Sequence, residues 1–101
     1  MTALDHFDED GFLNNPEQWS WQLASSLAKR DGIGELSDAH WSVIGELRRH
    51  YRHCGGLPPL GHVCHVCGLG HFCLDELFST PREAWRLAGL PNPGEEAKAY
   101  M

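Results

Sequence analysis

Helix start and stop signals constrain this sequence most, because they divide it into short helices joined by tight turns. Asn15 is placed to cap a helix whose first residue is Pro16, and Asp31-Gly32 ends that helix. Ser37 is placed to cap a second helix, which Gly55-Gly56 terminates. Apolar residues recur at helical spacing inside both segments. The sequence therefore predicts two helices before residue 57.

The second half of the chain predicts shorter elements. Glycines in residues 60–72 favour at most a short irregular helix there, and "CLDELF" at 73–78 predicts one or two helical turns. Thr80 and Glu83 form a capping-box pattern, and the helix that follows ends at Gly89. Residues 5–13 could form a short β-hairpin. The expected fold class is all-α or nearly so, in one domain spanning residues 1–101.

Charge and hydropathy limit the function classes. The formal net charge of −6 and the pI of about 5.5 disfavour non-specific nucleic-acid binding, which uses a basic surface. No stretch approaches the ~20 apolar residues of a membrane-spanning helix, and the acidic N-terminus does not resemble a signal peptide. We therefore expect a cytoplasmic protein without a membrane association. Thiols stay reduced in the cytoplasm, which favours metal or redox chemistry over a disulfide framework.

The stretch "HCGGLPPLGHVCHVCGLGHFC" at 53–73 concentrates the residues that could carry chemistry. Its cysteines are Cys54, Cys64, Cys67 and Cys73. A C-x-x-C pair can place two thiolates on one metal, and two flanking cysteines can complete a tetrahedral set. Four buried thiolates are tolerable only if a cation or cluster offsets their charge. The spacing therefore predicts one metal site built from all four cysteines.

Three interpretations of these cysteines stay open. The first is an iron–sulfur cluster on the four sulfurs. The second is zinc, because "CHVCG" resembles a zinc knuckle, with His62 and His71 as spare ligands. The third is a metal-free thiol–disulfide switch between Cys64 and Cys67. We rank metal binding above the disulfide, and a cluster above zinc.

Several longer stretches carry a family resemblance. They are "DEDGFLNNPEQW", "GIGELSDAHWSVIGELRRHY", the "LPP" after the second helix, "LDELF" and "AWRLAGLPNP". In this order the chain resembles the DsrC/TusE family of sulfur-relay proteins over roughly residues 5 to 93. The resemblance implies a small orthogonal helical bundle with a helix-turn-helix-like core and a short N-terminal β-hairpin.

The resemblance also shows departures from the family pattern. Family carriers hold a persulfide on a penultimate cysteine of a flexible C-terminal arm, whereas Tyr100 occupies that position here. Some members have a second cysteine where this chain has Trp85. We expect residues 94–101 to be a mobile tail that is dispensable for sulfur loading. The sulfur-carrying role therefore does not transfer to this chain by its usual residues.

The expected function is an accessory or regulatory protein of sulfur trafficking or redox metabolism. It would act through protein partners and hold an iron–sulfur cluster, or alternatively zinc. No paired carboxylates or phosphate-binding loop suggest an enzyme. One alternative is a DNA-binding regulator on the helix-turn-helix-like core, with a basic patch that includes Arg48, Arg49 and Arg52. The other is a sulfurtransferase with an internal persulfide on Cys64 or Cys67.

The tryptophans divide by their position on the helical stripes. Trp19, Trp41 and Trp85 fall on apolar stripes and are expected in the core. Trp21 lies off its stripe and is expected to be exposed, where it could contact a partner. His40, three residues after a helix cap, is expected to be exposed.

Overall fold

Helices dominate the computed structural model, which describes residues 7, 8, 10–56 and 58–99. A 3₁₀ turn, Pro16–Gln18, precedes helices α1 Trp21–Arg30, α2 Asp38–Cys54, α3 Leu60–Val66, α4 Cys73–Phe78, α5 Pro81–Leu87 and α6 Glu95–Lys98. The mostly α fold class is confirmed. Within the described ranges, no helix is long and apolar enough to cross a membrane.

Helix α2 is the element around which the fold is organised. It packs against α3, α4 and α5, and α5 also contacts α1 and α4. Burying apolar surface between these helices provides the main stabilising term for a domain of this size. The largest fully buried side chains include Trp85, Phe12, Phe78, Ile44 and Leu47. Trp19 and Trp41 pack against this core, whereas Trp21 is 61% exposed, as the stripes predicted.

The predicted start of α2 is correct, but His40 is not exposed. The backbone N–H of Ser37 donates to His40 Nδ1 at 3.0 Å, which completes a reciprocal cap. The other ring nitrogen lies 2.9 Å from the carbonyl oxygen of Leu77, and the ring packs edge-on against Phe78. Since Nδ1 accepts, Nε2 carries the proton and donates. His40 therefore ties the beginning of α2 to α4.

The first predicted helix is interrupted. Asn15 caps only the 3₁₀ turn, and Ser20 caps α1 separately. Between them Trp19 adopts an extended backbone and donates from its indole nitrogen to the carbonyl oxygen of Leu87 at 2.9 Å. The guanidinium of Arg48 lies 4.2 Å from the Trp19 ring centroid. These tertiary contacts explain why the helix does not run continuously through Trp19.

The two ends of the described chain meet at a set of polar contacts. The expected N-terminal hairpin reduces to one antiparallel bridge between Phe7 and Leu13, while residues 5, 6 and 9 lie outside the described part. Asp10 accepts a hydrogen bond from Lys98 of α6 at 2.7 Å and one from Asn92 at 2.9 Å. The mobility of residues 94–101 stays a prediction, and residues 100 and 101 are not described.

Candidate functional site

A disulfide joins α3 to α4. Cys64 in α3 and Cys73 at the start of α4 form an S–S bond of 2.05 Å, and their Cα atoms are 5.7 Å apart. Both residues are buried, with 1% and 4% of their surfaces exposed. Backbone hydrogen bonds shape the loop between them, because the Leu69 N–H donates to Cys64 O and the Cys73 N–H donates to Gly70 O. The bond therefore lies in the core and holds two short helices together.

This disulfide overturns the metal prediction. Cys64 and Cys73 use their sulfurs on each other, so they cannot supply two of the four expected ligands. Among the residues that the structure describes, no group of three or more His, Cys, Asp or Glu side chains could hold a metal ion. The predicted iron–sulfur cluster on Cys54, Cys64, Cys67 and Cys73 is wrong, and so is the zinc alternative.

The expected spare ligands have other surroundings. His62 and His71 are both exposed. The ring of His71 covers the backbone at Gly61, where an added Cβ would lie 2.5 Å from the ring. The same ring meets Phe72 edge-on, with the ring centroids 5.0 Å apart. His71 therefore packs as part of the α3–α4 surface.

Two cysteines are free thiols, and their surroundings differ. Cys67 is partly buried at the C-terminal end of α3, where its N–H donates to Val63 O at 3.1 Å. Burial, and to a lesser extent the Glu46 carboxylate, raises the pKa of the Cys67 thiol. Cys54 is exposed at the end of α2, eight residues beyond Glu46, or about 12 Å along the helix axis. Cys67 therefore lies against the protein, whereas Cys54 faces solvent.

Cys64 is a neighbour of both Cys73 and Cys67. It is bonded to Cys73 and lies three residues before Cys67, the C-cap of α3, so Cys64 and Cys67 lie on the same side of the helix end. The sequence favoured Cys64–Cys67 as the disulfide pair, whereas the structure pairs Cys64 with Cys73. The segment thus contains the Cys64–Cys73 disulfide and, one helical turn from Cys64, the free thiol of Cys67.

Two large apolar side chains are exposed beside the loop that joins Cys64 to Cys73. Val66 is 48% exposed and Phe72 is 65% exposed, and they flank the ends of the loop between the bonded cysteines. An open depression of about 320 Å³ lies beside Phe72 and is also lined by Leu60 and Pro81. Large apolar side chains left exposed beside this loop are candidates for contact with a partner.

The arginines considered for DNA binding have structural partners. Arg48 donates to the carbonyl oxygens of Ala88 at 2.8 Å and Pro16 at 3.3 Å. Arg49 forms a bidentate pair with Glu46, with distances of 2.6 and 2.9 Å. This pairing lowers the pKa of Glu46, which keeps the carboxylate charged. Two of the three arginines thus already bind groups of the protein itself.

A second titratable group lies where α1 meets α5. The N–H of Glu83 donates to Thr80 Oγ1 at 3.1 Å, but the Glu83 side chain turns toward Asp31 and Arg86 instead of closing the predicted capping box. Burial, with a further contribution from Asp31, raises the pKa of Glu83 to about 8. Arg86 pairs with Asp31 and donates to Gly11 O. Sequence reasoning missed this cluster, because its members are far apart in the chain.

The fold and the cysteines together define a small helical thiol protein. Comparison with known proteins narrows this class. The model of the family described as DsrC like protein matches residues 4–95. The chain is 32% identical over 98 residues to the sulfurtransferase TusE homolog of Haemophilus influenzae, covering 87% of this chain and 88% of that protein.

Two further proteins show the same relationship. The chain is 32% identical over 88 residues to the gamma subunit of the dissimilatory-type sulfite reductase of Nitratidesulfovibrio vulgaris, covering 85% and 84% of the two chains. The crystal structure of the oxidised gamma subunit, DsrC, from Archaeoglobus fulgidus superposes with a TM-score of 0.77 at 34% identity, covering 88% and 89%. The chain therefore belongs to the DsrC-like family, as its motifs predicted.

Proposed function

We propose that this protein is a sulfur-relay protein that accepts sulfur on Cys67 from the persulfide of a partner protein. One observation carries the proposal: Cys67 is a free, half-buried thiol beside a disulfide, in a segment bordered by exposed apolar residues. Its relatives include proteins named sulfurtransferase. Sulfur transfer, the alternative considered from the sequence, thus comes ahead of a purely regulatory role.

The transfer step conserves atoms and electrons. The Cys67 sulfur attacks the outer sulfur of the partner's persulfide, and the S–S bond of that persulfide breaks. The partner leaves as a thiol, taking the proton of Cys67, and Cys67 becomes the persulfide. Because burial raises the pKa of Cys67, the thiol is mostly protonated in the free protein. We expect transfer to be fastest when a docked partner removes that proton.

Partner docking would use the apolar border of the segment. Val66 and Phe72 are exposed on either side of the disulfide loop, so a partner covering them would also cover Cys67. Names of relatives that describe a reductase subunit support a role beside other proteins. The cytoplasmic location expected from the sequence stays a prediction.

The two free thiols provide a matched test. The protein with its Cys64–Cys73 disulfide closed is incubated with cysteine persulfide without oxygen, so that Cys64 cannot remove the added sulfur. It is then alkylated and digested, and each cysteine peptide is examined by mass spectrometry for an added sulfur atom. We expect the added sulfur on Cys67 in the wild type and in Cys54→Ser, and its loss in Cys67→Ser. Loading on Cys54 alone, or equal loading of the Cys67→Ser variant at another residue, would contradict the proposal.

A further inference from the structure

We infer that Cys64 and Cys73 discharge the sulfur carried by Cys67 as sulfide, and that the observed disulfide is the product of this discharge. The inference rests on the proposed function, since it needs a persulfide on Cys67. It assigns a separate role to three of the four cysteines: Cys67 accepts, Cys64 resolves, and Cys73 completes the cycle.

Geometry makes Cys64 the resolving residue. Its Cα lies 5.7 Å from that of Cys73, within the range of a relaxed disulfide. Cys67 lies three residues later as the C-cap of α3 and keeps a right-handed helical backbone, and Cβ atoms at this helical spacing are about 5–6 Å apart. Helix α3 ends at Val66, Cys67 is its C-cap, and Gly68 follows with a φ of 71°, so the backbone at Cys67 can shift without breaking the helix. Cys64 can therefore reach either neighbour.

The first step releases sulfide. In the reduced protein, the Cys64 thiolate attacks the Cys67 sulfur of the persulfide, and the bond to the outer sulfur breaks. The outer sulfur leaves as hydrosulfide with the electron pair of that bond. The two cysteine sulfurs are oxidised to a Cys64–Cys67 disulfide, while the sulfane sulfur is reduced by two electrons. No external oxidant or reductant is needed.

The second step transfers the disulfide into the core. The Cys73 thiolate attacks the Cys64 sulfur, the Cys64–Cys67 bond breaks, and Cys67 leaves as a thiolate that takes up a proton. This exchange involves no net oxidation. Its product is the disulfide in the structure, buried on both sides, with Cys67 again free beside it. A dithiol reductant of the solution then reduces Cys64 and Cys73 for the next cycle.

The direction of exchange follows from burial. Cys64 and Cys73 belong to the apolar core together with Val63 and Leu74, so solution thiols reduce their bond more slowly than a disulfide that includes Cys67. Cys67 is only partly buried, and a disulfide that includes it stays accessible. Shielding favours accumulation of the Cys64–Cys73 form. The same exchange returns Cys67 to the free thiol that accepts sulfur.

Single-cysteine variants separate the steps. The full chain is reduced, freed of reductant without oxygen, and treated with one equivalent of cysteine persulfide. Released sulfide is measured, and disulfides are mapped by peptide mass spectrometry after alkylation. We expect the wild type and the control Cys54→Ser to release one sulfide per chain and to form the Cys64–Cys73 disulfide. Cys73→Ser should still release sulfide but stop at the Cys64–Cys67 disulfide.

The resolving role has its own test. Cys64→Ser should keep the added sulfur on Cys67 and release sulfide only at the rate of the protein-free blank. Sulfide release from Cys64→Ser at the wild-type rate would overturn the inference while leaving Cys67 loading intact. Wild-type release from Cys67→Ser would also overturn it, because Cys64 and Cys73 would then react with the donor directly.

Two readouts keep these outcomes distinct from other failures. If Cys67 carries no added sulfur in Cys64→Ser, the proposed function itself fails, and the inference fails with it. Because Cys64 is buried, the tryptophan fluorescence of its variants is compared with that of the reduced wild type. The Cys73→Ser variant tests the order of the steps without altering Cys64, and absence of a Cys64–Cys67 disulfide in it would refute the second step.

Discussion

Reduction of the Cys64–Cys73 disulfide should destabilise the protein by a predictable amount. The bond closes a loop with a sequence separation of 9. The loop-entropy relation gives a stabilisation of about 2.6 kcal/mol at 25 °C for a loop of this length. A domain of this size has a total stability of roughly 5–15 kcal/mol, so the bond contributes a substantial part. The corresponding fall in Tm on reduction is roughly 10–20 °C.

The loss should be concentrated in one region. Helices α3 and α4 have seven and six residues, which is too short for stable isolated helices. Helix α2 has 17 residues and a reciprocal cap, so hydrogen bonds within the helix stabilise it more than they stabilise α3 or α4. On reduction we therefore expect hydrogen exchange to increase most in residues 60–78, and least in α2.

Urea unfolding with and without a dithiol reductant measures this effect. Cys54→Ser and Cys67→Ser are matched controls that keep the bond, so their unfolding midpoints should respond to reductant as the wild type does. The double variant Cys64→Ala with Cys73→Ala should not respond. Equal midpoints for the oxidised and reduced wild type would refute the reasoning, because the loop entropy would then have no measurable effect.

Three further predictions concern the rest of the fold. Because the native pKa of Glu83 is raised, the contribution of Glu83 to stability is lost as pH rises from 4.5 toward about 8, and Glu83→Gln should remove this part of the pH dependence of the urea midpoint. Gly89 has a φ of 70° and lies against a tryptophan ring, so Gly89→Ala should lower the free energy of unfolding by roughly 2–4 kcal/mol. Gly45 lies in α2 with open space around it, so Gly45→Ala should raise the free energy of unfolding by roughly 0.5–1 kcal/mol. Urea unfolding measures both. Asp10→Asn should weaken its contact with Lys98 and speed hydrogen exchange in residues 95–98.

The sequence predicted helix starts correctly where a capping side chain and a nearby backbone N–H determine them. Ser37 and Thr80 cap helices as expected, because a cap depends on a side chain and a backbone N–H three residues apart. Asn15 also caps as expected, but only a 3₁₀ turn. The helix breaks at Trp19 because its indole binds a carbonyl of α5, and that distant contact leaves no sign near residue 19. His40 was misjudged for the same reason, since its partner is Leu77.

The cysteine segment shows a different limit of sequence reasoning. Its pattern identified the residues that carry the chemistry, but the same spacing is compatible with a metal site or a disulfide. What decides between them is where each Cβ points, and this depends on how α4 packs on α3. Gly68, at a φ of 71°, lets the chain reverse between these helices, which brings Cys73 to Cys64 and leaves Cys67 partly exposed beside them.

The packing of α4 therefore connects the fold to the proposed chemistry. Phe78 and Leu74 anchor α4 in the core, which fixes Cys73 beside Cys64. If α4 were displaced, Cys64 would have only Cys67 within reach, and discharge would stop at the exposed disulfide. A truncation such as Phe78→Ala, which should cost about 3–5 kcal/mol in a well-packed core, would therefore act on the cycle without touching a cysteine. Sulfide release should persist in a variant that remains folded, while the Cys64–Cys67 form accumulates as it does in Cys73→Ser. Rapid formation of Cys64–Cys73 in that variant would show that the position of α4 does not direct the exchange.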